Sequence, residues 1–150
     1  MMQAKEIMTQ DVVTVRGSAT IADAITKMKD KGLRALIVEP RYNGDPYGIV
    51  TETDVVYKVA AHGHDPKKMY VYEIMTKPCI VVNPELGAEY VARLFANTRI
   101  RRAPVIQNGL LGVISISDIL RKSDFVEKPK SDFDRYCEEN PGAREARMYD

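Results

Sequence analysis

The chain contains an internal repeat, and this duplication constrains its fold more than any other feature of the sequence. The tetrapeptide Glu6–Thr9 returns unchanged as Glu73–Thr76, which lies 67 residues later. The nine residues Gly48–Val56 return in similar form as Gly112–Leu120, which lie 64 residues later. The sequence therefore predicts two copies of one structural unit.

The two copies differ in length at a single connection. In the first copy this connection, residues 38–47, is rich in turn-forming residues. In the second it shortens to Gln107–Gly109, whose Asn-Gly pair is typical of a β-hairpin. These boundaries place the first copy at residues 1–64 and the second at 65–122, with an appended tail at 123–150.

Each copy is predicted to begin with a strand and a helix. The β-branched runs at 12–15 and 79–82 favour a short strand. Apolar residues then recur at helical spacing. In the first copy, Thr20 with Asp23 is a capping pair for this helix and Gly32 is a typical helix end.

Two further strands and a second helix complete each copy. The order strand, helix, strand, strand, helix predicts an α+β fold. A unit of about 55 residues cannot bury both faces of a three-stranded sheet, so we expect two β-α-β-β-α repeats packed with pseudo-twofold symmetry. The predicted strands are 35–38 and 48–50 in the first copy and 103–106 and 112–114 in the second, with helices starting near Thr53 and Ser117.

Composition excludes several classes of protein. The 150 residues carry a net charge of +1, which gives no basic field for nucleic acid. No apolar run approaches the roughly 18 residues of a membrane helix, and the N-terminus has no signal-peptide pattern. Two cysteines, Cys79 and Cys137, give neither a disulfide framework nor a metal framework. We expect a cytoplasmic protein.

The repeated motif allows two interpretations. Thr51 with Asp54, and Ser115 with Asp118, fit a capping box that satisfies free backbone donors at a helix start. The same hydroxyls and N–H groups can instead bind a phosphate. A carboxylate beside that phosphate can accept two hydrogen bonds from a vicinal diol, so the motif is also consistent with a ribose phosphate site.

Arginines near the second motif strengthen the phosphate interpretation. Arg99, Arg101 and Arg102 directly precede the predicted strand at 103–106, whereas the first copy has only Arg34 at this place. Side chains of adjacent strand residues point to opposite faces, so at least one of Arg101 and Arg102 is expected in the pocket. The sequence therefore predicts that the second motif forms the stronger phosphate site.

No catalytic motif accompanies these features. The sequence has no nucleophile elbow, no P-loop and no paired zinc-ligand spacing, so we do not expect an enzyme. His62 and His64 flank a glycine after a predicted helix, where solvated or helix-capping histidines are commoner than metal ligands. Cys79 lies in an apolar strand and is expected to be a buried small hydrophobic residue. No metal site is predicted.

Both repeats resemble cystathionine-beta-synthase (CBS) domains, and the pair resembles a Bateman module over residues 4–122. The resemblance rests on the paired motifs Gly48–Asp54 and Gly112–Asp118, with Ala103-Pro104-Val105 before the second. Such modules commonly bind AMP, ADP, ATP or S-adenosylmethionine in clefts between the repeats. By that resemblance, Asp118 holds the ribose hydroxyls, nearby hydroxyls and arginines hold the phosphate, and apolar residues of the opposite repeat hold the base.

The resemblance assigns candidate nucleotide-binding residues to two pseudo-symmetric clefts. For the first cleft they are Asp118, Ser115, Ser117, Arg101, Arg102, Ala103, Val13 and Thr14. For the second they are Asp54, Thr51, Thr53, Arg34, Ile80 and Val81.

The tail resembles a second family. Half of residues 121–150 are charged, so this segment cannot build a core alone, and a helix is predicted around 131–139. Residues 134–150 are similar to the end of chloroplast protein twelve, which holds phosphoribulokinase and glyceraldehyde-3-phosphate dehydrogenase in an inactive complex. The family's second C-terminal cysteine falls on Ala146, so Cys137 has no partner in the tail and is a redox candidate only through a bond between chains.

These resemblances together imply a function. We expect a regulatory, homo-oligomeric sensor of energy state that binds AMP, ADP or ATP and modulates the two Calvin-cycle enzymes through its tail. The alternative is a structural module that only oligomerises and binds no nucleotide. The resemblance implies neither a catalytic cofactor nor a metal.

Overall fold

The repeat order of the sequence is the order of elements in the fold. The computed structural model describes residues 2–125. The predicted helix at 131–139 and the redox candidate Cys137 lie outside the described residues. In the described part the helices are α1 (Ala4–Ile7), α2 (Ile21–Lys31), α3 (Glu52–Lys58), α4 (Ala88–Thr98) and α5 (Ile116–Lys122), and the strands are β1 (Thr14–Val15), β2 (Ala35–Val38), β3 (Gly48–Thr51), β4 (Arg102–Ile106) and β5 (Leu110–Ser115).

Local sequence signals determine where α2 begins and ends. The Thr20 hydroxyl accepts a hydrogen bond from the Asp23 N–H, and the Asp23 side chain accepts one from the Thr20 N–H. Gly32 follows the helix in the left-handed conformation, with φ 64°. The capping signals predicted for this helix are thus confirmed. The helices predicted near Thr53 and Ser117 begin one residue earlier, at Glu52 and Ile116.

The strands form two small sheets. In the first repeat β1 is parallel to β2, and β2 is antiparallel to β3. In the second repeat β4 and β5 form an antiparallel hairpin, and Asn108 has the positive φ that an Asn-Gly turn uses. The structure confirms the mixed α+β class.

The strand predicted at 79–82 is much reduced. Only Val82 bridges to Val105, parallel to β4. The start of this segment is bound to the other repeat, because the Cys79 N–H donates to the Tyr47 carbonyl at 3.1 Å. The β-branched run therefore predicted the right segment, but only its end pairs with β4, while its start is hydrogen-bonded to the other repeat.

Each repeat contributes its leading segment, the residues before its first long helix, to the hydrophobic core of the other repeat. The first core is built around α2 and β2 and is completed by Val71 and Ile74, which lie in the leading segment of the second repeat, before α4. The second core is built around α4 and β4 and is completed by Ala4 and Ile7 at the start of the chain. Each repeat therefore supplies a part of the core of the other, which makes the pair one cooperative unit.

Matched hydrogen bonds hold these exchanged segments. The backbone of Thr9 pairs with Val113 through two bonds of 2.8 and 2.9 Å. The backbone of Thr76 pairs with Ile49 through two bonds of 3.0 and 2.9 Å. Thr9 and Thr76 are equivalent positions of the repeat, so the two pairings support the pseudo-twofold relation predicted from the sequence.

The long connection of the first repeat adds a further attachment. Asp45 is buried, accepts a 2.8 Å hydrogen bond from the Arg41 N–H, and pairs with Lys77 in the leading segment of the second repeat. These bonds, first from Arg41 and then from Lys77, lower the pKa of the Asp45 carboxyl, although burial acts in the opposite direction. The second repeat, with its shorter turn, lacks this connection.

Two glycines allow the exchanged segments to approach the strands. A Cβ atom at Gly112 would lie 2.7 Å from the Thr9 carbonyl oxygen, and one at Gly48 would lie 3.1 Å from the Thr76 carbonyl oxygen. The glycine that opens each repeated motif is therefore required by backbone packed against it. Neither glycine has a positive φ, so the requirement is for space.

We predict that Gly112→Ala destabilises the protein by about 1–3 kcal/mol, because backbone must move to accept the methyl group. Gly17→Ala is the matched control, since its nearest neighbour would be Tyr72 Cβ at 3.6 Å, an ordinary contact. Urea unfolding of both variants measures the effect. Equal stability of Gly112→Ala and the parent would contradict the proposed close packing.

Candidate functional site: two clefts between the repeats

The two repeats enclose a pair of clefts on either side of their contact. We name them the Asp118 cleft, of about 410 Å³, and the Asp54 cleft, of about 570 Å³. The Asp118 cleft is lined by Thr9, Asp11, Val12, Val13, Gly32, Leu33, Arg34, Ala35, Ile37, Arg102, Val113, Ser115, Ser117, Asp118 and Arg121. The Asp54 cleft is lined by Ile49, Thr51, Thr53, Asp54, Tyr57, Thr76, Pro78, Cys79, Ile80, Arg99, Ile100, Arg101 and Arg102.

The lining of one cleft repeats in the other. Each cleft combines the capping motif of one repeat with the leading segment, helix end and strand start of the other repeat. A residue of one repeat and its equivalent in the other repeat line the two clefts in the same way. The clefts therefore differ chemically only where the two equivalent residues differ. The matched pairs include Thr9 and Thr76, Val13 and Ile80, Arg34 and Arg101, Ser117 and Thr53, and Asp118 and Asp54.

The capping interpretation of the repeated motif is confirmed by its geometry. Asp118 Oδ2 accepts the Ser115 N–H at 3.0 Å, and the Ser115 hydroxyl accepts the Asp118 N–H at 3.2 Å. Asp54 and Thr51 repeat this arrangement at 3.0 and 3.1 Å. The motif thus caps both helices, and one oxygen of each carboxylate is occupied by the cap.

The second oxygen of each carboxylate contacts a lysine one turn later. Lys122 Nζ lies 2.8 Å from Asp118 Oδ1, and Lys58 Nζ lies 3.1 Å from Asp54 Oδ1. Asp118 Oδ1 also accepts a 3.3 Å hydrogen bond from the Thr9 hydroxyl. Both lysine side chains are about half exposed, so these ion pairs can exchange with a bound ligand.

The arginines are arranged differently from the sequence-based expectation. Arg34 lines the Asp118 cleft, although it was assigned to the Asp54 cleft, and Arg101 lines the Asp54 cleft instead of the Asp118 cleft. Arg102 lines both. The backbone of each strand start pairs with the motif of its own repeat, since the Arg34 carbonyl accepts the Glu52 N–H and the Arg101 carbonyl accepts the Ile116 N–H. The side chains of these two arginines line the cleft that holds the capping aspartate of the opposite repeat.

The structure also contradicts the prediction that more arginines lie near the second motif than near the first. Three arginines line each cleft, because Arg121 joins Arg34 and Arg102 in the Asp118 cleft, while Arg99 joins Arg101 and Arg102 in the Asp54 cleft. The Asp118 cleft is therefore not the richer in arginine.

Three further residues predicted from the sequence lie outside the clefts. Ala103 is buried in the second core, at 1% exposure. The Thr14 hydroxyl donates to Glu39 at 2.6 Å, and Val81 is 49% exposed and lines neither cleft. Each of the other predicted residues lines a cleft, including Val13 in one and Ile80 in the other.

Sequence reasoning missed several lining residues. Arg121 and Tyr57 lie one turn after the capping aspartates, at equivalent positions of α5 and α3, and this helical spacing was the available signal. Cys79 also lines the Asp54 cleft, and burial raises the pKa of its thiol. It is half buried, which corrects the expectation of a fully buried residue.

Arg102 has an unusual electrostatic environment. Burial lowers the pKa of its guanidinium, Glu52 raises it, and the like charges of Arg101 and Arg34 lower it further. An anion placed between these arginines would offset the repulsion.

His62 and His64 lie away from both clefts, just after α3. Their rings stack at 5.7 Å between centroids, and both residues are exposed. Within residues 2–125 no group of three or more His, Cys, Asp or Glu side chains is placed to hold a metal ion. In the same range, no helix combines the length and apolar character of a membrane span.

Comparison with known proteins identifies the family. The family model for the CBS domain matches residues 4–61 and 71–124, and the model for the CP12 domain matches residues 117–150. The chain therefore belongs to the CBS-domain family, in the group that joins a tandem CBS pair to a C-terminal CP12 domain. The structure of a hexameric CBS-CP12 protein from bloom-forming cyanobacteria is 73% identical, with a TM-score of 0.83, covering 97% of this chain and 84% of that one.

Other relatives are less similar and match a smaller part of the chain. CBS domain-containing protein YhcV of Bacillus subtilis is 32% identical over 79% of this chain and 84% of its own length. Mitochondrial CBS domain-containing protein CBSX3 of Arabidopsis thaliana is 35% identical over 68% of this chain. The chain spans 52% of the length of CBSX3, and 62% of an uncharacterized Methanopyrus kandleri protein that is 29% identical.

We predict that Asp118→Ala destabilises the fold more than Asp54→Ala. The change at Asp118 removes the cap of α5 and leaves the Thr9 hydroxyl without its acceptor, whereas Asp54 has the cap and Lys58 as its contacts. Loss of such bonds costs about 1–3 kcal/mol. Thermal unfolding without ligand measures the difference. Equal losses would show that the Thr9 contact contributes nothing.

Proposed function

We propose that the protein is a regulatory sensor of adenine nucleotides, which bind in the two clefts. The observation that carries this proposal is the distribution of unpaired arginines. Among residues 2–125, Arg16, Arg41 and Arg93 form ion pairs with carboxylates. The arginines of that range without a side-chain hydrogen bond or ion pair are Arg34, Arg99, Arg101, Arg102 and Arg121, and every one lines a cleft.

Such a cluster is suited to a phosphate group. Like charges held close together repel, and a bound anion converts that repulsion into charge-assisted hydrogen bonds. Guanidinium groups bind phosphate oxygens in a bidentate manner, which gives geometric selectivity as well as affinity. The hydroxyls of Ser117 and Thr53 are exposed at the matched positions and add donors.

The other parts of a nucleotide also find suitable groups. Apolar side chains for an adenine ring are Val12, Val13 and Leu33 in one cleft and Ile80 and Ile100 in the other. A ribose diol would take the place of Lys122 at Asp118 Oδ1, while the cap keeps Oδ2 occupied. Capping and ribose binding are therefore compatible uses of the same carboxylate.

The function of the tail is proposed from its family. We propose that the CP12 domain contacts phosphoribulokinase and glyceraldehyde-3-phosphate dehydrogenase, and that nucleotide in the clefts changes this contact. The hexameric state of the similar cyanobacterial CBS-CP12 protein supports a homo-oligomer for this chain. In this proposal the protein acts through binding and carries out no reaction of its own.

We predict that Arg102→Gln weakens binding of AMP at least tenfold, because the side chain lines both clefts and loses a charge-assisted bond worth roughly 1.5–3 kcal/mol. Calorimetric titration of the parent and the variant measures this. Arg93→Gln is the matched control, since Arg93 pairs with Glu89 on the exposed side of α4.

A scaffold without ligand gives a different result in the same experiment. If AMP, ADP and ATP produce neither heat nor a shift in melting temperature with the parent protein, the sensor proposal is wrong. The alternative of a structural oligomerisation module would then account for the CBS pair.

We predict that removal of residues 126–150 abolishes inhibition of phosphoribulokinase and glyceraldehyde-3-phosphate dehydrogenase while leaving nucleotide affinity within about twofold, because the lining that the structure describes for both clefts comes from residues 9–121. Enzyme assays with and without AMP measure the first effect, and calorimetry measures the second. Cys137→Ser in the full chain tests separately whether a thiol is needed. Inhibition by the shortened chain would contradict the proposed role of the tail.

A further inference from the structure

The end of α4 has an unusual backbone conformation. Arg99 follows this helix with φ 58°, in the left-handed region that L side chains rarely adopt. At the equivalent position after α2, the chain has Gly32, with φ 64°. Glycine is the usual residue here because it adopts this conformation without a steric penalty. The second repeat therefore holds an arginine where the first has the favoured residue.

Cap hydrogen bonds hold this conformation, because the N–H groups of Arg99 and Ile100 both donate to the Phe95 carbonyl. Arg99 is exposed and, among the described residues, its side chain has no acidic partner. Arg99 lines the Asp54 cleft, as Gly32 lines the Asp118 cleft. Strain at a ligand cleft is a common feature of functional residues.

The two clefts also differ in their acidic residues. The Asp54 cleft has Pro78 where the Asp118 cleft has Asp11, whereas their arginines balance, because Arg102 lines both and the Asp118 cleft has Arg121 where the Asp54 cleft has Tyr57. With three arginines each, the Asp118 cleft has two carboxylates in its lining and the Asp54 cleft has one. The Asp54 cleft is also larger, at about 570 Å³ against 410 Å³.

We propose that Arg99 determines the specificity of the Asp54 cleft, where it binds the terminal phosphate of a nucleoside di- or triphosphate. The smaller Asp118 cleft, with Gly32 in place of Arg99 and with Asp11 in its wall, takes a monophosphate. A longer phosphate chain carries more negative charge and needs more room. The Asp54 cleft suits such a chain because it has one carboxylate fewer and a larger volume. This inference rests on the proposed function and assigns a different ligand to each of its two clefts.

Two substitutions separate the charge of Arg99 from its backbone strain. Arg99→Gln removes the charge but keeps the strain of an L side chain in the left-handed conformation. Arg99→Gly removes both the charge and the strain. We expect each to lower the affinity for ATP and ADP about fivefold to tenfold, with less than a twofold change for AMP. We expect only Arg99→Gly to raise the melting temperature.

Calorimetric titration with AMP, ADP and ATP, together with thermal unfolding, measures these effects on the full chain. Arg121→Gln is the comparison variant, because Arg121 is an exposed, unpaired arginine of the Asp118 cleft. We expect Arg121→Gln to weaken the binding of AMP and to leave the affinity for ATP, which binds in the Asp54 cleft, unchanged. Arg93→Gln controls for the loss of a surface charge.

The outcomes distinguish this inference from the proposed function. If the parent binds no adenine nucleotide, the proposed function fails and this assignment fails with it. If the parent binds nucleotide but Arg99→Gln leaves the ratio of ATP to AMP affinity unchanged, only the role of Arg99 is overturned. A higher melting temperature of Arg99→Gly with unchanged ATP affinity overturns that role too, since Arg99 would then be strained without a ligand.

Discussion

The exchange of leading segments between the repeats is the interaction on which the rest of the structure depends. Backbone bonds from Thr9 to Val113 and from Thr76 to Ile49 bind each leading segment to the opposite repeat. The same bonds put Thr9 and Thr76 into the clefts and bring apolar residues into both cores. Because neither repeat completes its core alone, folding and assembly of the clefts are one event.

Much of the fold could be predicted because its signals are local. The cap of α2, its end at Gly32 and the Asn-Gly hairpin are determined by a few adjacent residues, and the repeat spacing fixes the order of elements. The placement of the arginines could not be predicted in this way. Arg101 precedes the second motif closely in the sequence, which suggested a place beside Asp118. In the folded chain its side chain lines the Asp54 cleft instead, where the two repeats pack together. That outcome depends on how two distant surfaces meet.

In the proposed function, one set of atoms in the repeated motif serves both stability and binding. Each aspartate uses one oxygen to cap its helix and leaves the other in contact with a half-exposed lysine. The cap orients the carboxylate before any ligand arrives, so little side-chain freedom is lost on binding. A capping box and a ligand site are often treated as competing explanations of one pattern. In the proposed function, the capping box holds the carboxylate in position for the ligand.

Arg102 has a consequence for how the two clefts behave as a pair. Its guanidinium borders both, so an anion in one cleft alters the electrostatic field that a ligand meets in the other. Reciprocity requires that the effect on binding free energy be the same in either direction. In the proposed function, occupancy of one cleft is therefore expected to change the affinity of the other through Arg102. A single shared side chain would then couple the two halves of a duplicated domain.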